Sequence, residues 1–174
     1  MGGRMRRLLL LSTLCVMANI EAKRVYANMV ADLFHYGHVN FLRQAALLGD
    51  ELVVGIVSDD LLVAYKRVPV IPQYERVEVV RACRYVTEVI EGTSVIIDEA
   101  FMKEHNIDIV VHGSDFTEEK MKYYFPYAYM INAIVILPYT PIVSTTDIIK
   151  RIRERKDFRQ KYTDSVAQEI SDWL

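Results

Sequence analysis

His35 and His38 stand three residues apart with Gly37 between them, in the run Asp32-Leu33-Phe34-His35-Tyr36-Gly37-His38. Imidazoles at that spacing share one face of a helix's first turn. The glycine leaves the backbone open to a group that approaches closely. Such a pair suits stabilisation of charge on a pentacoordinate phosphorus. In that reaction donors positioned beforehand matter more than a nucleophile from the protein.

The flanking sequence supplies the frame. Arg24 to Ala31 is an apolar run suited to a buried parallel strand, and from Val39 the residues Phe41, Leu42, Ala45, Ala46 and Leu48 recur at helical spacing. The histidines therefore sit at a strand-to-helix join. Open α/β folds place ligands at such joins, and the unpaired N–H groups of the helix favour an anion.

Downstream, strands and helices alternate. Gly49-Asp50 closes the first helix and Glu51 to Ser58 forms a second buried strand, completing a right-handed β-α-β unit. Asp59-Asp60 caps a short helix to about Tyr65, and Lys66 to Pro72, with two prolines, is an extended loop carrying two cations. Gln73 to Val86 reads as a helix with Glu75, Arg76, Glu78, Arg81 and Arg84 mostly outward. Glu88-Val89-Ile90 and Val95-Ile96-Ile97 are short and ambiguous. Glu99 to His105 is a helix, Ile107 to Val111 a strand ending in the loop His112 to Asp115, and Thr117 to Met130 a helix that Pro126 kinks or divides. Ala133 to Leu137 is the last core strand. Ser144 and Asp147 make a capping-box start to the final helix, which continues into a basic C-terminal segment. The pattern predicts a single α/β domain with a Rossmann-like, doubly wound parallel sheet.

Composition bounds the function. The 174 residues, 52% of them hydrophobic, suffice for one core and not for two ordinary domains. A net charge of −2 argues against a general nucleic-acid binder. Cys15 and Cys83 belong to no metal or redox pair and read as free thiols. Arg4, Arg6 and Arg7 before the apolar run Leu8–Ala18 have the grammar of a signal peptide, too short to span a membrane in the ordinary way. The competing reading, which we favour, starts translation at Met17 and leaves a cytoplasmic protein with no stable membrane insertion. On either reading residues 1–22 are a leader, 23–156 the functional domain and 157–174 a helical tail. The aromatic run Tyr123, Tyr124, Phe125, Tyr127 and Tyr129 reads as core and subunit contact before it reads as a cation cage.

From about Lys23 to Arg153 the chain resembles the cytidylyltransferases of the H-x-G-H nucleotidyltransferase superfamily, which include the phosphoethanolamine, phosphocholine and glycerol-3-phosphate enzymes. Several separated motifs carry the resemblance in order. They are His35-Tyr36-Gly37-His38, Lys66 with Pro69, Glu75-Arg76, Val80 to Val86 with Glu88-Val89-Ile90, His112-Gly113-Ser114-Asp115, and Val143-Ser144-Thr145-Thr146. The second and third match a lysine-proline loop and an acidic-arginine pair. The fourth and fifth are similar to the ethanolamine-phosphate branch, whose own motif is His-Gly-Asp-Asp. The last resembles the family's Ile-Ser-Thr-Thr.

The resemblance implies transfer of CMP from CTP, with Mg²⁺ bridging the triphosphate, to a small alcohol phosphate, with release of pyrophosphate. Phosphoethanolamine or phosphocholine is the favoured acceptor, glycerol-3-phosphate the next, and phospholipid biosynthesis the setting. His35 and His38 would steady the α-phosphate and Lys66 would neutralise phosphate charge, making these three the catalytic set. Val30, Ala31, Gly37, Asp115, Tyr139, Ser144 and Thr145 would line the nucleotide site; Asp32, Lys66 and Arg76 would meet the acceptor; no residue is expected to ligate a metal. Ser144 is equally a helix cap, and Asp115 is as well suited to capping as to the nucleotide pocket. A homodimer is expected. Where the family has Arg-Thr-x-Gly this chain has Tyr139-Thr140-Pro141-Ile142, and Ser114 replaces an aspartate. Those departures leave CTP and ATP both open. The rival readings are an adenylyltransferase acting on a sugar phosphate and a regulatory module that binds nucleotide without turnover.

Overall fold

The computed structural model describes residues 22–65 and 68–154. The elements run β1 (Arg24–Met29), α1 (Tyr36–Ala45), β2 (Glu51–Val57), α2 (Asp59–Tyr65), α3 (Gln73–Arg81) and β3 (Glu88–Thr93). They continue with α4 (Glu99–Glu104), β4 (Ile109–Gly113), α5 (Glu118–Tyr124), α6 (Pro126–Met130), β5 (Ile134–Leu137) and α7 (Thr145–Glu154). Lys66, the leader and the tail beyond Glu154 lie outside the described residues.

The five strands form one parallel sheet in the order β3-β2-β1-β4-β5, with Tyr26 opposite Val53 on one side and Val110 on the other. Alternation along the strands sorts side chains to two faces. Val25 and Ala27 of β1 join Leu52, Val54 and Ile56 of β2 against Leu42, Ala45, Val77 and Val80, the face covered by α1 and α3. Tyr26 and Val53 point the other way and pack with Met102, Phe125 and Ala128 beneath α4 and α6. A side chain such as Leu42, fully buried, contributes about 2 kcal/mol of transfer free energy. With helices on both faces and the order reversing between β1 and β4, the sheet is doubly wound, as expected, and opens a crevice at the carboxyl ends of those two strands.

Several boundaries differ from the sequence reading, each for a local reason. β1 stops at Met29, not Ala31, because Ala31 and Leu33 adopt left-handed backbone (φ 58° and 48°) that no strand accommodates. α1 begins at Tyr36, with His35 as its cap, three residues before Val39. α3 ends at Arg81, well short of Val86, since Cys83 and Val86 make turn hydrogen bonds that bring Thr87 to the Leu52 carbonyl and start β3 in register with β2. His112 and Gly113 belong to β4 rather than to a loop, because they pair with Ile136 and Leu137 of β5. Val95–Ile97 forms no strand; Ile97 plugs the core and donates its N–H to the Tyr124 carbonyl at 2.8 Å. Pro126 divides its helix, as predicted, and becomes the first residue of α6.

Candidate active site

A cavity of about 600 Å³ opens at the sheet's switch point, and it gathers nearly all the residues named from sequence. Val30, Ala31, Asp32, His35, Gly37, His38, Asp115, Tyr139, Ser144 and Thr145 all line it. They come from the end of β1, the start of α1, the loop after β4 and the loop leading into α7.

The turn after β1 is the pivot. Left-handed backbone at two residues with side chains costs of order 1 kcal/mol each, so the surroundings must hold it. They do so from three directions. The buried Asp32 carboxylate accepts the N–H groups of Val70 and Ile71 at 3.0 and 3.1 Å, and the Asp32 carbonyl accepts the Thr145 hydroxyl at 2.9 Å. From below, Arg76 donates to the Val30 carbonyl. The loop before α3 and the start of α7 are thereby fixed to the same turn.

Arg76 requires a correction. Expected on the outward side of its helix and in contact with substrate, it is 1% exposed and absent from the cavity wall. Its guanidinium also donates to the carbonyls of Ile71 (3.1 Å) and Val57 (3.0 Å) and pairs with Asp59 at 2.5 Å. A buried cation persists only when its donors are satisfied in this way. Arg76 positions the turn from beneath and has no place on the cavity wall.

The two histidines form a reciprocal cap on α1. His35 Nδ1 accepts the Gly37 N–H at 3.0 Å, and His38 Nδ1 accepts the His35 N–H at 3.3 Å. Since each Nδ1 is an acceptor, the neutral rings carry their proton on Nε2 and donate from there. The rings stack with centroids 4.0 Å apart, and Phe34 also stacks on His38, at 5.4 Å. Burial, reinforced by the neighbouring His35, pulls the His38 pKa down to about 4 despite the opposing pull of Asp32. Burial and then Arg151 lower that of His35 as well, against Asp147. Near neutral pH the pair is therefore two uncharged, oriented donors. Gly37 permits this packing, because a Cβ there would lie 2.8 Å from His35 Cε1.

Across the cavity, Ser144 performs the capping role expected of it: its hydroxyl accepts the Asp147 N–H at 3.1 Å and donates to the Asp147 carboxylate at 2.6 Å. Asp115 is not a cap. Thr117 caps α5 instead, and the Asp115 carboxylate rests against Gly113, where a Cβ would meet its Oδ1 at 2.7 Å. Of the divergent loop, Tyr139 lines the cavity while Ile142 is 74% exposed and does not. The aromatic run splits likewise. Tyr124 and Phe125 reach the cavity and Tyr123 is exposed, so the run builds no cage.

The sequence reading gave no site role to Asn28, Met29, Val95, His112 or Phe116, which also line the cavity. The His112 ring stacks on Phe116 at 3.8 Å. The signal was topological: β4 lies directly beside β1, so the end of β4 had to face the histidine turn. Asn28 is held by three hydrogen bonds, accepting from Tyr26 and Thr93 and donating to the Ser94 carbonyl.

The model of the family described as cytidylyltransferase-like matches residues 29–151, a span holding the whole of this cavity wall except Asn28. The chain belongs to that family. This cytidylyltransferase-like domain is 49% identical over 96 residues to the ethanolamine-phosphate cytidylyltransferase of Arabidopsis thaliana, covering 53% of this chain but only 23% of that protein. The chain thus spans about a quarter of the length of that relative. It is 41% identical over 138 residues to the FAD synthase of Thermococcus kodakarensis, covering 75% of this chain and 92% of that protein. Among solved structures, the lipopolysaccharide core biosynthesis protein of Thermoplasma volcanium superposes with a TM-score of 0.56 at 25% identity, over 69% of this chain and 98% of that one. In the cytidylyltransferase-like domain, no helix among the described residues is long and apolar enough to cross a membrane.

Proposed function

We propose that the protein is a nucleotidyltransferase that moves CMP from CTP to a small alcohol phosphate and releases pyrophosphate. The carrying observation is the pair of neutral histidines, locked by backbone hydrogen bonds at the start of α1 and facing the same cavity as the start of α7. Phosphoethanolamine and phosphocholine are the first acceptors to test, because the ethanolamine-phosphate and choline-phosphate cytidylyltransferases are among the relatives.

In this reading an acceptor phosphate oxygen attacks the α-phosphorus in line and the bond to the β-phosphate oxygen breaks. The leaving group carries its electron pair away as pyrophosphate, and no covalent intermediate forms on the protein. The Nε2–H groups of His35 and His38 donate to the equatorial oxygens as charge grows there, already oriented and at no cost of reorganisation. The N–H groups at the starts of α1 and α7 add their dipoles. Lys66 supplies a cation to the phosphates, the role the family resemblance implies. Mg²⁺ would be carried in by the triphosphate, whose charge it would partly neutralise. A homodimer in the cytoplasm completes the proposal.

A second reading, adenylyl transfer from ATP, has its own support. The Thermococcus FAD synthase matches along nearly its full length, and joining AMP to the phosphate of FMN is the same chemistry. The wall of Phe116, Tyr124 and Phe125 suits a flat ring. The test is pyrophosphate release from CTP and from ATP against phosphoethanolamine, phosphocholine, glycerol-3-phosphate and FMN. Turnover with CTP and an alcohol phosphate supports the first reading, turnover with ATP and FMN the second, and nucleotide binding without turnover a regulatory module.

A further inference from the structure

Among the described residues the cavity wall holds no lysine or arginine, and its histidines are uncharged near neutral pH. A nucleoside triphosphate brings about four negative charges, which isolated helix dipoles of about half a charge each do not balance. Cations from beyond those described wall residues would complete the balance.

α7 provides one. Ser144, Asp147 and Arg151 recur at intervals of three and four and so share one face of the helix. Ser144 lines the cavity and is hydrogen-bonded to Asp147, which anchors that face at the phosphate end. Arg151 is exposed, and its Nε donates to the Asp147 carbonyl at 3.3 Å, which turns the side chain back toward the helix start. Its terminal nitrogens lie beyond that contact, and among the described residues no carboxylate pairs with them. The other cations of α7 are differently placed. Lys150 pairs with Glu154 at 3.9 Å, and Arg153, nine residues from Ser144, falls on the opposite side of the helix.

We propose that Arg151 is a nucleotide-binding residue whose guanidinium holds the outer phosphates, those that depart as pyrophosphate. The inference rests on the reading of the cavity as a nucleotide site. The influence of Arg151 on the His35 imidazole, larger than that of Asp147, agrees with a guanidinium lying near the site. A planar donor fork suits two phosphate oxygens at once, which a lysine meets only as a point charge.

Calorimetric titration of the full chain with CTP, ATP and inorganic pyrophosphate, each with Mg²⁺, tests this. Arg151→Leu is expected to weaken all effective ligands about tenfold to a hundredfold, Arg151→Lys to restore part of the loss, and Arg153→Leu to bind as the wild type does. Unchanged affinity in Arg151→Leu, or an equal loss in Arg153→Leu, overturns the proposal alone. A wild-type protein that binds none of the three overturns the nucleotide-site reading and this proposal with it. NMR titration of the unliganded protein gives a readout independent of ligand. Among the described residues the charged or titratable groups facing His35 are His38, Asp147 and Arg151, and removing the arginine should raise the His35 pKa. An unmoved His35 pKa places the guanidinium elsewhere and also overturns the proposal.

Discussion

Replacing Gly37 with alanine should separate catalysis from stability. The added Cβ would lie 2.8 Å from His35 Cε1, 3.0 Å from His35 Nδ1 and 3.3 Å from the Val143 carbonyl oxygen. Ordinary contact begins near 3.4 Å, so the imidazole must retreat by about 0.6 Å. The His35 ring is already stacked on His38, so its displacement disturbs the pairing with the second histidine. The 3.0 Å bond from the Gly37 N–H stretches past hydrogen-bond range, a lost cap worth about 1 kcal/mol. Alanine within a helix recovers up to about 1 kcal/mol of backbone entropy, so the net change in stability is small. Turnover has no such compensation, because misplacing prepositioned donors by a fraction of an ångström costs up to about a hundredfold. The assay is kcat/KM by pyrophosphate release, with urea unfolding of the same samples. Gly92→Ala is the control. Its φ of 66° strains any side chain, but the nearest heavy atom to a new Cβ is 3.6 Å away, so it should lose about 1 kcal/mol of stability and no activity. Wild-type kcat/KM in Gly37→Ala, or an equal activity loss in Gly92→Ala, would refute the argument.

Two further outcomes follow from buried groups. Arg76→Met should destabilise the fold by about 3–5 kcal/mol in urea, since it strands three carbonyls and Asp59; an unchanged midpoint would return Arg76 to a ligand-contact role. His38, with its pKa near 4 in the folded protein and 6.5 as the ordinary value, is protonated in the unfolded chain and not in the folded one between those limits. Its contribution to stability is therefore complete above pH 6.5 and is lost as pH falls to about 4, by about 3 kcal/mol. Urea midpoints from pH 7 to 4 should fall more steeply in the wild type than in His38→Gln, and parallel profiles would contradict the assigned burial.

The parts of this architecture that follow local rules were legible in the chain. Buried strands announce themselves as β-branched runs, and the His-x-Gly-His turn lies between a strand and a helix as its flanks require. Legibility failed where long-range partners decide. Helical spacing does not distinguish Arg76 from the exposed Glu75 or Arg81; its burial depends on carbonyls of Val30 and Val57 that only the folded chain delivers. The left-handed residues Ala31 and Leu33 carry no glycine signal, because Asp32, Thr145 and Arg76 impose their conformation from distant segments. His112 and Gly113 look like a loop until β5 pairs with them. The histidine turn and the start of α7 were thus readable from motifs, and the aromatic lining of the cavity only from sheet order.

The most direct test of the central claim is ³¹P NMR of CTP, phosphoethanolamine and Mg²⁺ incubated with the wild-type protein and with His38→Ala. The account predicts a new pair of diphosphate resonances from the cytidine diphosphate product with the wild type, inorganic pyrophosphate appearing in equal amount, and a rate lower by orders of magnitude in the variant. Equal rates in the two proteins would contradict the assignment of the histidines. A spectrum that stays unchanged with the wild type, for CTP and for ATP with FMN alike, would contradict nucleotidyl transfer itself.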